Sequence, residues 1–308
     1  MSGAPCTSVR PDAADAPGTL GLPQMSSHAG LTFLTSPANA RSVVLFVHGL
    51  GGHRLDNWGA YGQPGAFILR LQLELPKAAV ATYDYPSGLK TILANKALTL
   101  EAMACEWSYH LRDELLARFD TVVVVAHCLG GLLATLGTCR LLEASRPPAL
   151  PDARGLQSGP QRNRHPGPKR LMLFLLDAPH NLPVGAPSLW LAGFMATLRF
   201  STEDWRVHAR LWREKVVATL GDMNGGGAGC AADGAANAAS DDIAALRIEP
   251  YAIVSRQASW VTPLSPHADL PPARVCHAQL SHEQLPRAPA HGDFASYDFV
   301  LSRLQSLR

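Results

Sequence analysis

The residues most capable of chemistry stand in one run, Val122 to Gly131, which reads Val-Val-Val-Val-Ala-His-Cys-Leu-Gly-Gly. A β-branched stretch of this kind favours a strand. It breaks into a small-X-Cys-X-small turn with Cys128 at the apex. A sharp strand-to-helix turn strains the apical backbone, so the residues two before and two after it must be small, here Ala126 and Gly130. Cys128 would then point out of a sheet at a helix N-terminus, where the helix dipole favours an anion and the reactive form of cysteine is the thiolate. The chemistry this allows is nucleophilic attack on an acyl carbon. The same residues also describe a buried cysteine in an ordinary Gly-rich strand-helix turn.

Acyl transfer needs two N–H donors for the developing oxyanion. Upstream, the apolar run Ser42 to Val47 opens into His48-Gly49-Leu50-Gly51-Gly52, a glycine-rich loop whose backbone could face a ligand. The natural donor pair is the N–H of Leu50 and that of Leu129, just after Cys128. His48, Gly49, Gly51 and His127 are expected to border the substrate. A base should come from near the C-terminus. There Tyr251 to Val254 and Val275 to Leu280 read as strands, Trp260 to Pro263 as a loop, and Tyr297 to Leu307 as a final helix. His282 lies between the last strand and that helix, so it could reach back over the sheet, and chain order favours it over His267, His277 and His291.

These elements together resemble an α/β-hydrolase, nearest the lipase and esterase branch that includes GPI inositol-deacylase-like proteins. The resemblance spans roughly Val43 to Leu307 and is carried by Val-His-Gly-Leu-Gly-Gly at 47 to 52, Ala-His-Cys-Leu-Gly-Gly at 126 to 131, Ala-Pro-His at 178 to 180, Trp-Val-Thr-Pro at 260 to 263, and Ser281-His282 followed by Ala288-Pro289. It implies an α/β-hydrolase fold, a mostly parallel central sheet flanked by helices, with a helical cap insertion. Alternation of strands with helical stretches such as Leu98 to Phe119 independently argues the same class. The chain departs from the family twice: the nucleophile is usually serine, and the acid usually lies just before the Val-x-Pro segment, where this chain has Ala258-Ser259. A thiol is more acidic than an alcohol and leans less on a third residue, so the two departures are chemically compatible. Asp177 follows the Leu171 to Leu176 strand, where some lipases carry the third member; it reads either as the orienter of His282 or as a loop carboxylate ahead of Ala178-Pro179. Asp269 and Asp298 are weaker candidates, the first in a proline-rich turn and the second on the final helix. Asp84 is expected to order the rim of the site.

At 308 residues the chain can bury one large core. A formal charge of +2, with basic residues scattered or confined to the loop Arg154 to Arg170, carries no electrostatic commitment to nucleic acid. Six cysteines lack metal-ligand spacing and a dense disulfide pattern, which fits a reducing compartment and a cytoplasmic location. No stretch approaches 18 uninterrupted apolar residues, so no integral membrane segment is expected, and Met1 to Gly30 lacks the apolar core of a Sec-type signal, which leaves other export routes open.

The domain reading is a disordered tail over 1–30 and one domain over 31–308, with loose insertions at about 145–169 and 221–240. Ser188 to Leu220 carries Trp190, Phe194, Met195, Leu198, Phe200, Trp205 and Trp212 at helix-like spacing, either as a cap over the site or as core-facing residues of two ordinary helices. The function expected is acyl hydrolysis through a covalent Cys128 acyl-enzyme, on a small-molecule or lipid acyl ester, with no metal or organic cofactor required. Acyl transfer through the same site and a catalytically silent binding protein are the alternatives, and nothing in the sequence addresses oligomeric state.

Overall fold

Strands buried on both faces read as continuous apolar runs, whereas strands with one wet face alternate. Three runs here are of the first kind. In the computed structural model, which describes residues 30–59, 66–94, 98–144, 169–180, 193, 195–222, 246–257, 269–287 and 294–307, they form the centre of one sheet as β2 (Ser42–Val47), β4 (Thr121–His127) and β5 (Arg170–Leu176). The other strands are β1 (Leu31–Phe33), β3 (Ala79–Tyr83), β6 (Arg247–Ser255) and β7 (Val275–Ala278). The order across the sheet is β1-β3-β2-β4-β5-β6-β7. All pairings are parallel except β1 with β3.

The period of two sorts each strand's side chains onto two helical layers. Val122, Val124 and Ala126 face one core with Leu171, Leu173 and Leu175. This core is closed by α3 (Leu100–Tyr109, continuing to Leu116), α4 (Leu129–Ala144) and α5 (Thr202–Trp212). Val123, Val125, Met172 and Phe174 face the other, beneath α1 (Phe67–Glu74) and α7 (Ala295–Arg303). Among the described residues there are also two short helices, α2 (Leu89–Ala94) and α6 (Ala218–Asp222).

Most elements fall where the sequence puts them. The β6 strand is longer, starting before Pro250. Proline lacks the ladder N–H and belongs at edges; Pro250 pairs with Leu173 of β5, and β7 joins β6 only from Ala252 onward, so its unbonded side has no neighbouring strand. The β7 strand stops at Ala278, and Gln279 to Arg287 form turns. Within the segment after β5, Met195, Leu198, Phe200, Trp205 and Trp212 all enter the core beside α3 and α4, the core-facing option of the two. Trp190, Phe194, residues 1–29, and the insertions over 145–168 and 223–240 lie outside the described residues.

Candidate active site

The site is built where parallel strands end, so that loops after β2, β4, β5 and β7 converge. Cys128 follows β4 directly and has φ +52°, a left-handed conformation that L-residues other than glycine rarely adopt. What holds it there is bonding on both sides: its N–H donates to the Leu176 carbonyl at 3.0 Å, and its own carbonyl accepts the Gly131 N–H at 2.9 Å, opening α4. The need for a small residue at 130 has a direct cause. A Cβ on Gly130 would stand 2.2 Å from the His48 carbonyl oxygen and 2.8 Å from that of Val47.

A positive-φ residue at the top of a mostly parallel sheet, between a strand and a helix, with a glycine loop from the neighbouring strand packed on it, completes the pattern. The fold is that of an α/β-hydrolase. No family model and no curated protein matches the chain. Among solved structures, the RedJ thioesterase of the prodiginine biosynthetic pathway in Streptomyces coelicolor is 16% identical, with 97% of this chain and 91% of that one covered and a TM-score of 0.43. A lipase-esterase related protein from Clostridium acetobutylicum is 10% identical, covering 90% and 98%, with a TM-score of 0.42. Carboxyl esterase 2 from Tuber melanosporum is 14% identical, covering 90% and 80%, with a TM-score of 0.39. Likeness at this level says nothing of activity.

In this hydrolase fold His282, on the turn after β7, lies with Nδ1 3.2 Å from Asp177 Oδ2, and the Cys128 side chain is near enough to help raise the pKa of its ring. Asp177 is fully buried and, like Cys128, has a positive φ, +41°. Its N–H donates to the Ile253 carbonyl at 2.9 Å, and its Oδ1 accepts the Ser255 N–H at 3.0 Å, so the carboxylate is aimed from the end of β6. Asp177 thus faces the His282 ring and is not spent on capping the loop ahead of Ala178-Pro179. Burial disfavours a charged His282, but the hydrogen bond it donates to Asp177 and the neighbouring Cys128 outweigh that cost and push its pKa up to about 10.

The glycine loop that carries Leu50 comes up against this trio at Gly49. Gly49 abuts the elbow so closely that a Cβ there would stand 3.0 Å from Cys128 Cβ and 2.8 Å from His127 Nδ1. Neither the Leu50 N–H nor the Leu129 N–H has an acceptor among the described residues. Gly51 stands at φ +64° with its N–H on the Ser87 carbonyl at 3.0 Å, which pins the far side of the loop.

Two expectations need correction. His48 is fully buried, and both ring nitrogens of His127 are engaged, by Asn57 and by the His282 carbonyl, so neither ring offers a substrate a free polar atom. The His48 ring lies 2.9 Å from Asp84 Oδ1 and stacks on Tyr85 at 4.5 Å, tying the glycine loop to the segment after β3. Asp84 thus orders the rim, and the His48 hydrogen bond holds its carboxyl below the usual range. His127 packs on the His282 ring at 4.6 Å. Burial and the neighbouring His282 hold its pKa well below the ordinary value, so it is neutral.

The remaining candidates do not join the site: His277 is exposed on β7, and Asp298 is exposed on α7. Asp269 sits at a turn before β7. His267, His291, Ala258-Ser259, Trp260 to Pro263 and Ala288-Pro289 lie outside the described residues. Sequence reasoning missed Ser255 and Asn57. Ser255 presents Asp177 with its N–H and ties the β7 side down by donating its hydroxyl to the Leu280 carbonyl. Both act through contacts distant in sequence, which no local pattern encodes.

Proposed function

We propose that the protein is an acyl hydrolase acting through a covalent thioester on Cys128. One observation carries the reading: a cysteine at a positive-φ elbow, beside a histidine whose ring is held by a buried carboxylate. With His282 favouring its charged form at neutral pH, it holds the proton given up by Cys128 as the sulfur attacks the acyl carbon. The S–C bond forms while the carbonyl oxygen takes the negative charge, facing the N–H groups of Leu50 and Leu129. When the tetrahedral intermediate collapses, the bond to the leaving group breaks and His282 gives that group its proton. Water then attacks the thioester, His282 takes a proton from it, and the carboxylic acid leaves with Cys128 restored as the thiolate.

The expectation of a silent binding protein rested on a missing acid, and Asp177 at 3.2 Å from His282 weighs against it. An acceptor other than water would turn the same acyl-enzyme to acyl transfer. The finer likeness to the lipase and esterase branch bears on substrate class, for which small-molecule or lipid esters and thioesters are the candidates. The test is hydrolysis of short- and medium-chain p-nitrophenyl esters and acyl thioesters by the wild type, Cys128→Ala and His282→Ala, with mass spectrometry of the quenched enzyme. Turnover lost in both variants and an acyl adduct on Cys128 are expected. No turnover and no adduct in the wild type would return the fold to a binding role.

A further inference from the structure

Asn57, in the short turn Asp56–Trp58, stands between the glycine loop and the elbow. Its Oδ1 is 3.4 Å from the Gly49 N–H and its Nδ2 is 3.5 Å from His127 Nδ1. On the other side of that ring, His127 Nε2 is 3.0 Å from the backbone carbonyl of His282. The two ends of this chain of contacts fix its polarity. Gly49 N–H can only donate, so the Asn57 atom facing it is the oxygen and the amide nitrogen must face His127. The His282 carbonyl can only accept, so the His127 proton is on Nε2 and Nδ1 is a bare lone pair. One amide orientation and one neutral tautomer satisfy every member at once.

We infer that Asn57 and His127 are positioning residues for the Cys128–His282 pair, bracing the backbone of His282 against the glycine loop while Asp177 holds its ring. The inference rests on the acyl-hydrolase reading of that pair. A histidine side chain aimed at Cys128 has two free variables, where its backbone sits and how its ring turns. Asp177 fixes only the second. The stretch that carries His282 follows β7, a four-residue edge strand; Ser255 holds it at Leu280 and Ser296 at Leu285, and His127 is the contact at the His282 carbonyl itself. At 3.4 and 3.5 Å two of the three bonds are long, and such bonds contribute direction more than stability. Charging His127 would break the arrangement twice, by setting an N–H against the Asn57 amide and a cation against the His282 ring at 4.6 Å.

If His127 served only to fill space, Phe would replace it and Asp would replace Asn57 with little effect. If the brace is correct, His127→Phe removes both nitrogens while keeping the ring, and Asn57→Asp turns the donor facing Nδ1 into an acceptor. That second change either moves the His127 proton to Nδ1, which loses the bond to His282, or charges the ring beside His282. Each variant is expected to lower kcat by about tenfold or more with KM within about twofold, since misplacement of a reacting group falls on the transition state. Histidine nitrogen chemical shifts supply a readout independent of turnover: wild-type His127 should be neutral and protonated on Nε2 at pH 7, and Asn57→Asp should change that state. The wild-type measurement needs no variant to fold. A wild-type His127 protonated on Nδ1, or both variants with unchanged kcat and pH-rate profile, would overturn the brace. A wild type with no turnover overturns the hydrolase reading, and the nitrogen shifts then decide the brace alone.

Discussion

The proton shared by His282 governs what the site does with pH. Its pKa of about 10 lies above the ordinary 6.5, so it is charged in the folded protein through the neutral range. The stability this protonation contributes is complete below about pH 6.5 and is lost as pH rises through about 10. Turnover, which needs the imidazolium to protonate the leaving group, is expected to hold from neutral pH upward and fall toward pH 10. In Asp177→Asn the carboxylate support is gone, so the fall should come at lower pH, with kcat reduced by about a hundredfold. A pH-rate profile with its alkaline limb unmoved would sink the assignment of Asp177. A second test uses the other thiols as references. Cys105 is exposed but its pKa is raised by burial and by Glu101, and Cys139 is buried and pushed up to about 12. If Cys128 attacks as a thiolate, iodoacetamide near pH 7 should label it ahead of exposed Cys105, read by peptide mass mapping. Labelling in order of exposure would count against a thiolate.

Between one element and the next, the turn from β4 to α4 is the part whose chemistry sequence spells out. Small residues flank an apical cysteine because the carbonyls of Val47 and His48 crowd position 130, a requirement that shows as Gly130 even before the contact is known. Gly130→Ala would drive a methyl to 2.2 Å from a backbone oxygen, and backbone cannot swing aside as a side chain can. The expected cost is about 2 kcal/mol or more of stability, together with most of the activity, measured by urea midpoint and by kcat. Retention of both would mean that β2 and α4 are free to part. The strands were equally legible, since runs such as Leu171 to Leu176 are apolar at every position and therefore sit between two helical layers. The roles of His48 and His127 were not. Their spacing around the glycines looks like substrate contact, and only the placement of Asp84, Tyr85 and Asn57, each far along the chain, turns those rings inward. Asp177 was half legible: its position after β5 pointed to the site, but the bond from Ser255 that aims it joins residues 78 apart.

The molecule as a whole joins a well-packed sheet to a site held by few bonds. β4 and β5 are buried on both faces and flanked by strands on both sides, whereas β7 is a four-residue edge. Among the described residues, the turn bearing His282 is tied to the rest by Asp177 at its ring, His127 at its carbonyl, Ser255 at Leu280, Ser296 at Leu285 and Gln257 at Gln279, with Leu280 and Leu285 buried beneath it. Local opening follows the elements with the fewest buried contacts, so the β7 end should yield before the central sheet. Cys139, 1% exposed on α4 within the larger core, is a built-in reporter of the latter. In a urea series, activity should be lost at a lower concentration than the one at which Cys139 becomes open to alkylation. Between the two midpoints Cys128 should lose its preferential labelling while Cys139 stays protected, because α4 and β4 still hold the elbow but His282 has swung away. If activity and Cys139 protection vanished together, the turn after β7 would be part of the same cooperative unit as the sheet, and the anchoring bonds around His282 would be far stronger than their number and lengths imply.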